Sequence, residues 1–278
     1  MPVIGINWPV ANKLSLLHIL TSYIAISSAL NNNWGWADLE NPIKSNLLDI
    51  NYLDDAIWVA GEADTIYVSE DEGATWSRRS SEFGDRYSWN GLSFLNATRG
   101  WVVGSYGLVL HTLDGGRSWT QQLSHVEIDP AAPSLNYNAV HHVAGLSWCG
   151  AFVVGDAGNI FSTGDGGATW TQQVSKTAED LMTLFFASTT TGWAAGRNGV
   201  LLSTADAGEN WVVQEPSGGT WTRFSLFFTT EDRGWAVGEA GGLVWTNSSG
   251  AQWNVLPSCT VKDLYGVVVD PQHTNHTT

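Results

Sequence analysis

Residues Gly100 to Trp119 read GWVVGSYGLVLHTLDGGRSW, and this stretch decides the fold. An apolar run at Trp101 to Val103 meets Gly104, a second run follows at Leu108 to Leu110, and a polar turn ends in Trp119. Short apolar runs punctuated by glycine and a polar turn predict two successive β-hairpins. In TLDGGRSW the Asp114 carboxylate can accept backbone N–H groups of its own turn, and Gly116 can take a positive φ. The turn is specified by chemistry as well as by polarity.

The same pattern ends at Trp76, Trp170, Trp211 and Trp253, which with Trp119 makes five clear copies. Their period is about 42 residues, the size of one propeller blade, lengthened once by an insertion around His125 to Asn138. Each copy supplies an apolar inner segment such as TLFF at Thr183 to Phe186, a WAVG-type strand, a GLVLHT-type strand and a polar outer strand such as WTQQ at Trp119 to Gln122. Polarity rises outward, as a radial blade requires. The expected fold is an all-β β-propeller with six visible four-stranded blades, the first degenerate, plus the start of a seventh. The whole chain, 1–278, reads as a single domain with units near 3–44, 45–86, 87–132, 133–179, 180–219, 220–259 and a partial 260–278.

Both ends carry alternatives. KLSLLHILTSYIAISSAL at 13–30 resembles a signal-peptide core with Ser27-x-Ala29 as a cleavage site. It also fits a decayed repeat, because VIGINW aligns with LLDINY at 47–52 and IAISSALNNNW with IYVSEDEGATW at 66–76; the second reading is favoured. Near the carboxyl end KDLYGVVVD repeats the inner-strand segment, and the chain stops at Thr278 where another GWAVG is due. Either this is a fragment, or that last strand completes the amino-terminal blade and closes the ring.

With 43% hydrophobic residues the chain can fill a large core, and most of its 16 tryptophans sit at repeat-equivalent positions suited to packing between blades. A net charge of −15 argues against nucleic acid or an anionic membrane as partner. No run demands a transmembrane helix, so direct membrane insertion is not expected. Cys149 and Cys259 fall at opposite ends of their blades, which disfavours a disulfide. Sequons at Asn96, Asn247 and Asn275 all map to one face of the propeller.

SEDEGATW at Ser69 to Trp76, TLDGGRSW at Thr112 to Trp119 and TGDGGATW at Thr163 to Trp170 resemble the Asp-box, shared by sialidases, sortilin-type receptors, some glucanases and photosystem II assembly and stability factors. Thr204 to Trp211 has Asn210 in place of the hydroxyl residue, and the set at Thr246 has Ser248 in place of the aspartate. The coupling of each box to a preceding GWAVG, as at Gly234 to Gly238, looks most like the photosystem II assembly factor family over about residues 46 to 270. That resemblance implies a non-enzymatic propeller binding partly assembled membrane-protein subunits in the thylakoid lumen through an arginine-bearing surface. A secreted or extracellular setting is the other compartment consistent with the sequence. Arg86, Arg197 and Arg223 are the arginines available for such a surface.

Asp71, Asp114, Asp165 and Asp206 are expected to be structural, on turns between third and outer strands. On the opposite face, the residue after each second-strand glycine is expected to form a ring: Glu62, Ser105, Asp156, Arg197 and Glu239. The links between blades add Arg86, Trp89, Tyr137, Trp221 and Arg223, a set suited to gripping a peptide or a glycan, with core packing the equal alternative for Trp89 and Trp221. Glu62, Asp156 and Glu239 could in principle serve a glycosidase, but nothing fixes their separation, and no Arg-Ile-Pro, His-Glu-x-x-His or Gly-x-Ser-x-Gly motif occurs. His141 and His142, adjacent on a predicted inner strand, should point to opposite faces. The reading is therefore a binding and assembly scaffold for a protein segment, with no catalytic residues, metal or cofactor. The alternatives are a carbohydrate-active propeller and a sortilin-type receptor fragment.

Overall fold

Strand formation follows the repeat. The computed structural model describes residues 43–71, 73–124, 135–143, 150–214 and 219–269, together with the backbone of three strands nearer the amino terminus, β1 (Leu16–Leu20), β2 (Tyr23–Ser27) and β3 (Ala37–Asp38). Blade 1 is β4 (Leu47–Leu53), β5 (Ala56–Gly61), β6 (Thr65–Ser69) and β7 (Ser77–Arg78). Blade 2 is β8 (Trp89–Phe94), β9 (Gly100–Gly104), β10 (Val109–Thr112) and β11 (Thr120–Leu123). Blade 3 is β12 (Tyr137–Val143), β13 (Gly150–Gly155), β14 (Ile160–Thr163) and β15 (Thr171–Gln173). Blade 4 is β16 (Leu181–Phe186), β17 (Gly192–Gly196), β18 (Leu201–Thr204) and β19 (Val212–Val213). Blade 5 is β20 (Arg223–Phe228), β21 (Gly234–Gly238), β22 (Leu243–Thr246) and β23 (Asn254–Val255). Each is an antiparallel meander in chain order, and the inner strands β4, β8, β12, β16 and β20 lie side by side in succession.

Among the described residues the fold is thus an all-β propeller with five four-stranded blades, not six blades plus the start of a seventh. The amino-terminal unit forms a three-stranded sheet, β1-β2-β3. The segment expected to begin a seventh blade, 260–269, forms no strand, because among the described residues no second strand pairs with it. The proposed inner strand at 3–8 and residues 270–278 lie outside the described residues, as do Cys149 and Asn275.

Aromatic side chains join the blades. Trp58 of blade 1 stacks on Phe94 of blade 2 with centroids 3.9 Å apart, and Trp119 meets that phenyl edge-on at 6.3 Å. Phe152, Phe186 and Trp211 repeat the arrangement between blades 3 and 4, at 4.3 and 6.2 Å. Trp193, Phe228 and Trp253 repeat it between blades 4 and 5, at 3.6 and 6.0 Å. At the boundary of blades 2 and 3, Val143 takes the phenylalanine position. The glycines opening β9, β17 and β21 make room for that phenyl: a methyl group on Gly234 would sit 2.4 Å from the Phe228 ring.

The edges of the inner strands are met by side chains of the preceding blade. The Asp49 carboxylate accepts the Leu92 N–H at 2.7 Å and Asn51 Oδ1 that of Phe94 at 3.4 Å. Asn90 Nδ2 donates to the Tyr137 carbonyl at 3.0 Å, Ser93 Oγ accepts the His142 N–H at 3.1 Å, and Asn138 Nδ2 donates to the Leu181 carbonyl at 2.9 Å. In every case the side chain belongs to the earlier strand and the backbone group to the later one. Unpaired strand edges invite association, and this lacing covers them.

On the face bearing the third-to-outer turns, each Asp-box closes the same way. Thr112 Oγ1 donates to Asp114 Oδ1 at 2.9 Å and accepts the Gly116 N–H at 2.8 Å, while Asp114 accepts the Ser118 N–H at 2.9 Å and the Ser118 hydroxyl at 2.7 Å. Asp71 makes the equivalent bonds to Ser69 and Thr75, and Asp165 to Thr163 and Thr169. At Asp206 the Asn210 amide replaces the hydroxyl, donating at 2.8 Å. These bonds hold the Asp114 and Asp165 carboxyls down to about 2, with Asp71 and Asp206 lowered by the same cause. In blade 5 the Ser248 hydroxyl accepts the Gln252 N–H at 3.0 Å, a neutral version of the turn.

Candidate functional site

The opposite face carries the second-to-third turns and the links between blades. Its geometry starts at the second-strand glycines. A methyl group on Gly61, Gly104, Gly155, Gly196 or Gly238 would lie between 1.9 and 2.2 Å from the carbonyl oxygen of the residue before the inner strand. That close approach lets the following residue clasp the link. The N–H groups of Glu62, Ser105, Asp156, Arg197 and Glu239 donate to the carbonyls of Asn46, Ser88, Asn136, Asp180 and Thr222 at 2.9 to 3.0 Å.

The side chains of this ring are committed to the same clasp. Glu62 accepts from Asn46 Nδ2 at 2.9 Å, and Asp156 from Asn136 N–H and Nδ2 at 2.9 Å and from Asn138 at 3.0 Å. Arg197 pairs with Asp180 at 3.2 Å, and Glu239 accepts the Thr222 N–H at 2.8 Å. The three carboxylates belong to blades 1, 3 and 5, each fixed to its own link. These are structural fastenings at equivalent positions, each holding its own link.

The link residues divide. Trp89 and Tyr137 are 0% exposed and Arg223 is 1% exposed, so the expectation that they line an accessible surface is corrected. Each begins an inner strand, where its side chain points between blades. Trp89 Nε1 donates to the Asp64 carboxylate at 2.9 Å, and that buried carboxylate also takes the hydroxyls of Ser80 and Ser81. The Tyr137 ring meets Phe161 edge-on at 5.8 Å, and burial raises its phenol well above the usual tyrosine range. Arg223 lies over the half-buried Trp221 ring at 4.6 Å; burial pushes it down to about 10, leaving it charged at neutral pH. His141 and His142 diverge in their partners, His141 packing on Phe185 of blade 4 at 5.2 Å and His142 Nδ1 meeting Ser93 Oγ of blade 2 at 2.8 Å. Burial pushes His141 down to about 3, so it is neutral. Among the described residues no group of three His, Cys, Asp or Glu stands together to hold a metal.

Arg86 remains exposed, at the rim of a recess on this face. A pocket of about 400 Å³ opens between the blade 1/2 link and the outer part of blade 2, lined by Phe83, Arg86, Tyr87, Tyr106, Leu108 and Gln121. Tyr87 and Tyr106 meet edge to face at 5.5 Å, Phe83 abuts Tyr87 at 5.7 Å, and Trp89 lies beneath both Phe83 and Tyr87. The Arg86 guanidinium sits 4.9 Å from the Tyr87 centroid and donates to its hydroxyl at 3.0 Å. Such an aromatic wall with one cation at its rim can grip an extended chain by area and by hydrogen bonds. Reading the sequence missed Phe83 and Tyr87, and also Tyr106, which is 40% exposed. It occupies the left-handed apex of its turn, φ 59°, where blades 1, 3, 4 and 5 have Ala63, Ala157, Asn198 and Ala240. Comparing the residue two places after the glycine, instead of one, would have singled it out.

Comparison with known proteins fits this arrangement. The family model described as photosynthesis system II assembly factor YCF48 matches residues 27–183 and 134–218. A curated relative, the photosystem II assembly lipoprotein Ycf48 of Synechococcus sp. (strain CC9902), is 25% identical over 225 residues, 77% of this chain and 62% of its own length. The solved YCF48 from Cyanidioschyzon merolae superposes with a TM-score of 0.60 at 17% identity, covering 87% of this chain and 85% of that one, a likeness of fold. A solved structure described as YCF48 bound to D1 peptide aligns over 82% of this chain and 86% of that one at 23% identity, with a TM-score of 0.46. With matched segments reaching from residue 27 to residue 218, this chain belongs to the photosynthesis system II assembly factor YCF48 family.

Proposed function

We propose that this chain is a non-enzymatic propeller scaffold that holds a protein segment, such as an extended stretch of a membrane-protein subunit, on the face formed by its inter-blade links. Family membership supports an assembly role. The observation that carries the reading is the pocket walled by Phe83, Tyr87 and Tyr106 with Arg86 at its rim. The carboxylates that could have served hydrolysis, Glu62, Asp156 and Glu239, are each occupied in fastening a link. No helix among the described residues is long and apolar enough to cross a membrane. The chain acts as one structural unit in this proposal, with β1-β2-β3 as the degenerate sixth unit of the repeat.

The binding surface comprises Arg86 with Tyr106 and its neighbours, and extends to the exposed Arg197 and the half-buried Trp221 at the blade 4/5 boundary. Peptides from candidate subunits, titrated by fluorescence anisotropy, test it. Tyr106→Ala and Arg86→Ala are each expected to weaken binding about 10-fold or more, with thermal stability unchanged. Unaltered affinity in both would overturn the assignment of the pocket. Glycan hydrolysis by the purified chain, abolished by Asp156→Asn, would overturn the scaffold reading itself.

A further inference from the structure

The aromatic wall around Tyr87 is built on right angles. Tyr106 meets the Tyr87 ring at 72° and Phe83 meets it at 84°, with centroids 5.5 and 5.7 Å away, while Trp89 lies nearly parallel to it at 11°. Rings that meet edge to face leave corners with apolar walls on two sides, and the buried Leu108 adds to the same lining. The rings are fixed before anything binds. The Tyr87 carbonyl accepts the Asp64 N–H at 2.9 Å, and the Tyr87 N–H donates to the Gly84 carbonyl at 3.1 Å. Phe83 N–H donates to Ser81 Oγ at 3.2 Å. The turn that carries Tyr106 is clasped to the link twice, the Ser105 N–H donating to the Ser88 carbonyl and the Ser88 N–H to Ser105 Oγ, both at 3.0 Å.

A rigid wall favours a ligand that is also ordered in advance, because little conformational entropy is then lost on binding. A proline-containing segment in the polyproline II conformation meets that need. Its φ is fixed by the pyrrolidine ring, its rings pack on aromatic faces, and its carbonyls make no internal hydrogen bonds and stay open to donors. The polar lining supplies donors: the Arg86 guanidinium can only donate, and the Tyr106 hydroxyl and the Gln121 amide can each do so.

Charge adds a second requirement. Arg86 is the charged residue of the lining, on a chain of net charge −15. It is held by the Tyr87 hydroxyl and ring, and among the described residues no carboxylate stands within ion-pair distance of it. Glu82 and Asp85, exposed on the same link, do not line the pocket. A carboxylate on the ligand would complement this cation by a charge-assisted hydrogen bond. We infer that the pocket selects a polyproline II segment whose prolines pack into the corners at Tyr87 and Tyr106 and whose neighbouring acidic side chain pairs with Arg86. This rests on the reading of the pocket as a peptide-binding site and narrows its ligand to one chemical class.

The probe is a fluorescein-labelled oligoproline with an internal glutamate and both ends blocked, titrated by anisotropy against the full chain. Replacing its prolines with alanine, or its glutamate with glutamine, is in each case expected to weaken binding about 10-fold. Arg86→Gln should no longer tell the glutamate probe from the glutamine one, and Tyr106→Ala should lose the preference for proline. Blades 1, 3 and 5 carry Ala63, Ala157 and Ala240 at that apex with the same positive φ, so Tyr106→Ala keeps the turn, which a melting curve checks. Equal affinity for the proline and alanine probes, equal affinity for the glutamate and glutamine probes, or no binding of the glutamate probe would overturn the inference. The scaffold reading fails differently. It falls if no peptide from a candidate subunit binds; if such peptides bind through Tyr106 whether or not they contain proline, it stands and only the ligand class is overturned.

Discussion

Asp114 and Asp49 are two carboxyls of one protein pushed in opposite directions. Asp114 is exposed and held down to about 2 by the Ser118 and Thr112 bonds. Its folded value lies below the unfolded one, so its contribution is present above about pH 4 and is lost as pH falls toward 2. Asp114→Asn should therefore lower the Tm at pH 7 and match the parent near pH 2, a comparison for scanning calorimetry. Asp49 is pushed up to about 7 by burial, against the lowering effect of the Leu92 and Ile50 N–H groups. Its folded value lies above the unfolded one, so stability is lost as pH rises from about 4 through 7. Asp49→Asn keeps an acceptor there without the charge, and should gain on the parent over that interval by at most about 1.4 kcal/mol per pH unit. Partial exposure lowers this further. Denaturant titrations at pH 5 and 8 read the difference. The box aspartates are legible in the sequence because a turn is a local object. Asp49 is not, because its partner Leu92 stands on a neighbouring strand 43 residues away.

At the level of strands and blades, the phenylalanines closing inner strands hold neighbouring sheets together. Phe228 is stacked on Trp193 at 3.6 Å and touched edge-on by Trp253. Phe228→Ala should cost about 3–5 kcal/mol, measured as a shift in denaturant midpoint. Gly234→Ala should be destabilising in the same direction, since its methyl would enter that phenyl ring. The four-strand unit, its glycines and the box tryptophans were all readable from the repeat. The side-chain directions at the blade links were not. Trp89, Tyr137 and Arg223 look like surface groups in a polar connecting stretch, yet each is the first residue of an inner strand and turns inward. Arg86, three residues before Trp89, stays out because it precedes that strand.

For the molecule as a whole, the sequence supports the propeller class while overstating the number of complete blades. A blade is complete only when strands distant in the chain meet, and a repeat count measures units of sequence, not closed sheets. The apparent seventh unit, 260–269, shows the difference: its residues carry the inner-strand pattern and occupy the inner-strand place without forming a ladder.

The lacing along the inner strands also has a sense of direction. Because each earlier strand contributes the side chain and each later one the backbone group, stripping a later blade frees only side chains that can turn to water. Stripping an earlier one bares main-chain amides that cannot. Fraying should accordingly begin at the carboxyl-terminal side and run backwards, which residue-resolved hydrogen exchange would reveal as protection declining from β8 toward β20.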